Sequence, residues 1–125
     1  VQTRDRSKRP EAGQSTVEFA LLLPMLLFAM LAVVQVALVA RDEITVLHAG
    51  REAARAASVD PDPQSAVRAG RRVLPGAFVV VGPRPKVGEP LTVEVSYRSR
   101  TDLPIVGALF PDPLLHARVV IRVER

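Results

Sequence analysis

From Phe19 to Ala40 the chain places 22 consecutive residues without a charged side chain. As an α-helix such a run measures roughly 33 Å at ~1.5 Å per residue, enough to cross a hydrocarbon core of about 30 Å. Leu, Val, Ala, Met and Phe fill most of it on every side, and Gln35 is its one strongly polar side chain. A helix that is apolar all round must be covered by lipid or by protein. Its length argues against the core helix of a soluble domain. A cleaved secretory signal has a shorter apolar core and a small-x-small site. Here the run ends Leu38-Val39-Ala40, with Leu where a small residue belongs. The run therefore predicts a membrane span.

The flanks suggest an orientation. Residues 1–13, VQTRDRSKRPEAG, are polar and aperiodic, with Arg4, Arg6, Lys8 and Arg9 set against Asp5 and Glu11. They read as a short basic leader, expected to be disordered. Residues 41–60 carry Arg41, Arg51 and Arg55 together with Asp42, Glu43, Glu52 and Asp60. The excess of Lys and Arg before the span places the N-terminus in the cytoplasm and the rest outside.

Beyond the membrane the helical pattern continues through residues 41–59. Ile44, Leu47, Gly50, Ala54 and Ala57 recur at spacings of three and four and share one stripe, which becomes small toward its end. Asp60-Pro-Asp-Pro stops this helix. Asp62 is a good N-cap and Pro63 a good first residue for a short second helix over 63–74, with Ala66, Val67, Gly70, Val73 and Leu74 as its apolar stripe. Pro75-Gly76 ends it. Three strands follow: 77–81, then 91–97 with Leu91, Val93, Val95 and Tyr97 on one face, then 117–123 with Ala117, Val119, Ile121 and Val123 on one face. Such alternation predicts an antiparallel sheet with one buried side. Residues 60–125 alone are too few for a stable core. The expected fold is α+β: a long N-terminal transmembrane helix (14–40) with an amphipathic extension (41–59), a short second helix, and a small sheet packed on the extension.

The stretch Gly13-Gln14-Ser15-Thr16-Val17-Glu18-Phe19 stands at the lip of the span. An acidic residue costs about 2.5–3.5 kcal/mol at mid-membrane, and less near the interface. One reading of Glu18 is local: Ser15-x-x-Glu18 matches a capping box, and Glu18 would face the positive end of the helix dipole. The other requires the leader ending in Gly13, Glu18 five residues on and the apolar helix starting at once. Pro24, early in the span, removes a donor and crowds the carbonyl of Ala20, so a kink or local unwinding is expected there, or simple tolerance within the membrane.

This arrangement resembles the class III signal sequences of the type IV pilin superfamily. The resemblance implies that a membrane prepilin peptidase cuts after Gly13 on the cytoplasmic side. Gln14 then becomes the new N-terminus, and 125 − 13 = 112 residues remain. Cleavage creates an α-amino group, charged near neutral pH. Burying it between helices is costly unless a carboxylate pairs with it, and Glu18, four residues on, shares its helix face. The octapeptide VEFALLLP (17–24), the span and GREAARAAS (50–58) look like the TadE-like family of minor pilins and pseudopilins; Leu74-Pro75-Gly76 and the end Ile121–Arg125 fit as well. The major Flp pilins have Glu-Tyr where this chain has Glu18-Phe19, and are much shorter. The implied setting is a tight-adherence (Tad/Flp) pilus or related secretion machine. The implied partners are membrane lipid, prepilin peptidase, other pilin subunits and the assembly platform.

Nothing in the sequence suggests an enzyme, a cofactor or a metal. His48 and Glu52 share a helix face without a third ligand, and Asp60 and Asp62 read as turn and cap residues. There are no cysteines. Arg51, Arg55, Arg71 and Arg72 are basic, but aromatic residues make up only 4% of the chain, too few for base stacking, so no nucleic acid is expected. No small-molecule substrate is expected either. The competing reading is a plain single-pass membrane protein whose sheet domain is a binding module.

Overall fold

The computed structural model of the protein describes residues 11–101, 106–109 and 111–125. Residues 1–10 of the leader lie outside them, and so do residues 102–105 and 110 of the link after the second strand. Six elements follow in order: α1 (Glu11–Val59), α2 (Pro63–Val73), β1 (Phe78–Val81), β2 (Pro90–Arg98), α3 (Val106–Leu109) and β3 (Leu114–Arg122). The sheet is antiparallel throughout, in the order β1-β2-β3. This is the α+β arrangement expected from the sequence, with α3 as an addition inside the link.

The chain divides into two compact units, one ending at Val34 and one running from Gln35 to Arg125. In the first, α1 is apolar and uncovered: Val17, Phe19, Leu21 and Met25 are all exposed. Pro24 stands inside the helix, which is helical on both sides of it. The local unwinding that a missing donor invites is not seen.

In the second unit the sheet folds over residues 46–58 of α1. Leu91, Val93 and Val95 of β2 are fully buried, and Val79, Ala117 and Val123 join them from the neighbouring chain segments. In register, Val95 lies opposite Val79 and Ala117, and Val93 opposite Val81 and Val119. The alternation of each strand thus delivers one apolar face to the helix. On the other face Glu94 opposes Arg118, whose guanidinium bonds its carboxylate at 2.6–2.8 Å.

The face that α1 offers differs from the expected one. Ile44 is 60% exposed and Leu47 is 40% exposed, whereas Val46, Ala49, Ala53, Ala54, Ala57 and Ser58 are buried. Gly50, Ala54 and Ala57 of the expected stripe are correct, but its bulky members point away. Close approach explains the choice. A Cβ on Gly50 would stand 3.1 Å from Cγ2 of Val119, and one on Gly70 would stand 2.8 Å from Cγ2 of Val79 and 3.5 Å from the Cβ of Ala53. Helix and sheet meet where side chains are smallest, so spacing alone could not rank Leu47 below Ala53. On α2 the same rule buries Ala69 and leaves Val73 partly exposed.

The ends of the helices are closed by side chains. Asp62 is the N-cap of α2 and accepts from the backbone N–H of Gln64 at 3.0 Å, with Pro63 in the first turn, as the sequence predicts. α2 ends before Pro75-Gly76, where Gly76 takes φ 87°, a conformation that suits glycine. Arg84, on the β1–β2 loop, donates to the carbonyls of Ala57 (2.6 Å) and Asp60 (3.2 Å) and to that of Arg125. It satisfies acceptors that the last turn of α1 would otherwise leave open.

Candidate processing and assembly site

The candidate residues occupy the start of α1. Gly13, Gln14, Glu18 and Phe19 are all exposed. A Cβ on Gly13 would meet nothing within 4 Å, so glycine is not required there by packing. The Gly13–Gln14 bond lies inside the first turn, because the helix begins at Glu11. The first four N–H groups of a helix have no intrahelical acceptor, so opening this turn breaks few bonds.

The early start of the helix removes one of the two readings of Glu18. Ser15 sits within the helix, four residues after its first residue, and is not an N-cap. The capping box fails because Glu11 and Ala12 extend the helix backward past Gly13. Glu18 instead accepts from the side-chain amide of Gln14, Nε2 to Oε1, at 3.2 Å. This is the i, i+4 geometry that places both residues on one face. Gln14 and Glu18 are therefore brought together, as the spacing suggested. Phe19, 64% exposed, and Leu22, 60% exposed, continue into the uncovered apolar surface. α1 is long and apolar enough to cross a membrane: its best window has a mean hydropathy of 2.6 with only 6% of it buried.

A match to known sequences falls on this helix. The family model described as TadE-like protein covers residues 13–55. Residues 13–55 are thus similar to the TadE-like family. The TadE-like match begins at Gly13 and ends at Arg55, so it takes in Gly13, Gln14 and Glu18, the apolar run and most of the small stripe. Leu74-Pro75-Gly76 and Ile121–Arg125 lie outside it. No curated protein and no solved structure matches the chain. TadE-like proteins are associated with Tad pili, and the apolar helix fits a single-pass membrane protein of such a system.

Elsewhere the residues weighed from sequence stay apart. No group of three or more His, Asp or Glu residues among those described could hold a metal ion. His48, Arg51, Glu52 and Arg55 are exposed on α1. Arg71, one of the basic residues weighed for nucleic acid, donates to the carbonyl of Ala77 at 3.2 Å and helps fasten α2 to the start of β1. Two polar contacts had no sequence signal. Ser99, at the end of β2, donates to Asp42 of α1 at 2.5 Å, and Gln35 donates to Thr101 at 3.2 Å. Both join residues more than fifty positions apart, and no local pattern reports such pairs.

Proposed function

We propose that the protein is a TadE-like minor pilin or pseudopilin, a membrane-anchored structural subunit of a Tad/Flp-type pilus or secretion system. Prepilin peptidase removes everything through Gly13. The N-terminus faces the cytoplasm, and the domain beyond the span lies outside it. The observation that carries this reading is the joining of Gln14 and Glu18 on one face of an uncovered apolar helix that matches the TadE-like family from Gly13 onward.

The chemistry follows from that pair. Before cleavage the side chain of Gln14 supplies a neutral donor to Glu18. After cleavage the same residue carries an α-ammonium, a stronger donor with a full charge. A carboxylate four residues away on the same helix neutralises it, on its own chain or on a neighbouring subunit, and the second arrangement fixes the axial register between helices. Without that partner the charge would be expensive to hold among apolar helices. Phe19 and the apolar residues after it supply the lateral packing surface. Pro24 lacks an N–H, so the helix bond it interrupts can be given up when the subunit leaves the bilayer.

Glu18→Ala separates the two steps. Cleavage after Gly13 is expected to persist, while co-isolation of the variant with partner pilins from membranes is lost. Normal co-isolation of Glu18→Ala would remove the pairing role.

A further inference from the structure

β3 is an edge of the sheet: β2 pairs with one side of it, and no strand among the described residues pairs with the other. The phase of the ladder says which backbone groups that open side carries. At one end the N–H of Ser99 reaches the carbonyl of Pro113 at 3.0 Å, and at the other the N–H of Val123 reaches the carbonyl of Glu89 at 3.0 Å. Both bonds continue the register in which Tyr97 faces Leu115 and Leu91 faces Ile121. Hydrogen-bonded pairs recur at every second position of an antiparallel ladder, so the odd-numbered residues of β2 and β3 bond each other. The far side of β2 agrees, since the carbonyl of Thr92, an even-numbered residue, accepts from Gly82 at 2.9 Å. Leu114, His116, Arg118, Val120 and Arg122 therefore turn their N–H and C=O groups to the open side.

The side chains along this edge divide by face. Those of the five outward-bonding residues are all exposed, and His116, Arg118 and Arg122 among them are basic. Glu94 meets Arg118, but Arg122 stands opposite Pro90. On the other face Leu115, Val119 and Ile121 pack against the core yet stay partly exposed, while Ala117 between them is buried. An unpaired strand edge is a ready template for another strand, with main-chain bonds giving affinity and alternate side chains giving choice of partner.

We propose that the open side of β3 receives an antiparallel strand from another protein, a strand that alternates acidic and apolar residues. Its acidic residues lie opposite His116, Arg118 and Arg122, and exchange both backbone bonds with those outward-bonding positions. Its apolar residues lie opposite Leu115, Val119 and Ile121, with their own amides turned away, and cover the exposed side of those three. A second copy of this chain fits badly. β3 laid antiparallel on β3 gathers His116, Arg118 and Arg122 of both copies on one face, and like charges across strands destabilise the pair.

The probe is a fluorescently labelled peptide, VEVTVEVEV, which laid antiparallel sets Glu opposite Arg122, Arg118 and His116, Thr opposite Val120, and Val opposite the odd-numbered positions. Its binding to the full chain in detergent micelles is read by anisotropy. N-methylation of its Glu residues should abolish binding, whereas N-methylation of its inner Val residues should leave most of it. Arg122→Glu should weaken the parent peptide roughly fivefold, as one favourable cross-strand pair becomes a repulsive one. Val120→Pro removes an N–H that β2 does not use, so the far-ultraviolet circular dichroism should persist while peptide binding is lost. The two methylated peptides decide the matter on the unchanged chain even if Val120→Pro does not fold. A parent peptide that does not bind, or one whose binding survives methylation of its Glu residues, would overturn the proposal. Self-association of the peptide-free chain that Val120→Pro abolishes, seen by sedimentation, would assign the edge to a second copy and overturn the acidic strand as its partner.

Discussion

Single residues decide how closely the elements of this chain approach one another. Gly70 is the clearest case, since any Cβ there meets Val79 at 2.8 Å. Gly70→Ala gains about 1 kcal/mol of helix propensity but overpacks the contact at a cost of about 1–3 kcal/mol. A net destabilisation of about 1 kcal/mol is expected, read from urea unfolding in detergent by the fluorescence of Tyr97, the chain's one tyrosine. Adding Val79→Ala should remove most of the penalty specific to Gly70→Ala, as a double-mutant cycle would show. Asp60 behaves differently, because it is exposed and its effect depends on pH. The Ser65 hydroxyl, the Asp62 backbone N–H and the nearby Arg68 and Arg84 hold its carboxyl below the usual carboxylate range. A carboxyl depressed on folding stabilises above its unfolded value of about 3.9, and that stabilisation is lost as pH falls through the lower folded value. The urea midpoint should therefore decline between about pH 5 and about pH 2, and Asp60→Asn should flatten part of that decline. These residues differ in legibility. Asp62 and Pro63 announced a cap from sequence alone, whereas the exclusion of any Cβ at Gly70 depends on Val79, which only the fold brings near.

At the scale of elements, the sequence marked each strand and both longer helices, because alternation and the 3.6-residue period survive without knowledge of partners. Strand bounds shifted by one to three residues, β3 beginning at Leu114 and not at Ala117. The error that matters was the rotation of α1. Periodicity favoured Ile44 and Leu47, but the contact surface runs through Val46, Ala49, Ala53 and Ala57. A sheet drawn close to a helix selects small residues, and a hydrophobicity pattern weighs Leu above Ala. The corrected face is testable. Ala53→Leu should destabilise by about 1–3 kcal/mol or more in the same unfolding assay, while Ile44→Ala should stay within about 0.5 kcal/mol. The capping-box reading of Ser15 failed for a related reason. Local motifs name a helix start only if nothing upstream extends the helix, and here Glu11 and Ala12 do.

For the whole molecule, the division at Val34 and Gln35 separates two kinds of surface. The N-terminal unit exposes apolar residues on its sides, as a segment bound for lipid or for other helices must. The C-terminal unit builds an ordinary core from a sheet and the small face of α1. The TadE-like match follows the helix and stops at Arg55, so it covers the part through which assembly is proposed and leaves the sheet domain to be read from its structure. The long apolar helix and the α+β plan were legible because both rest on composition and period. The Gln35–Thr101 and Ser99–Asp42 ties were not, being long-range pairs of ordinary polar residues. The central claim is that Gly13 is a processing site. It is tested most directly by producing the full chain in membranes with and without a prepilin peptidase and determining the N-terminus by mass spectrometry. The account predicts a chain that begins at Gln14 only when the peptidase is present, with Glu18 as its fifth residue. An intact leader, under conditions in which known substrates of the same peptidase are cut, would contradict it.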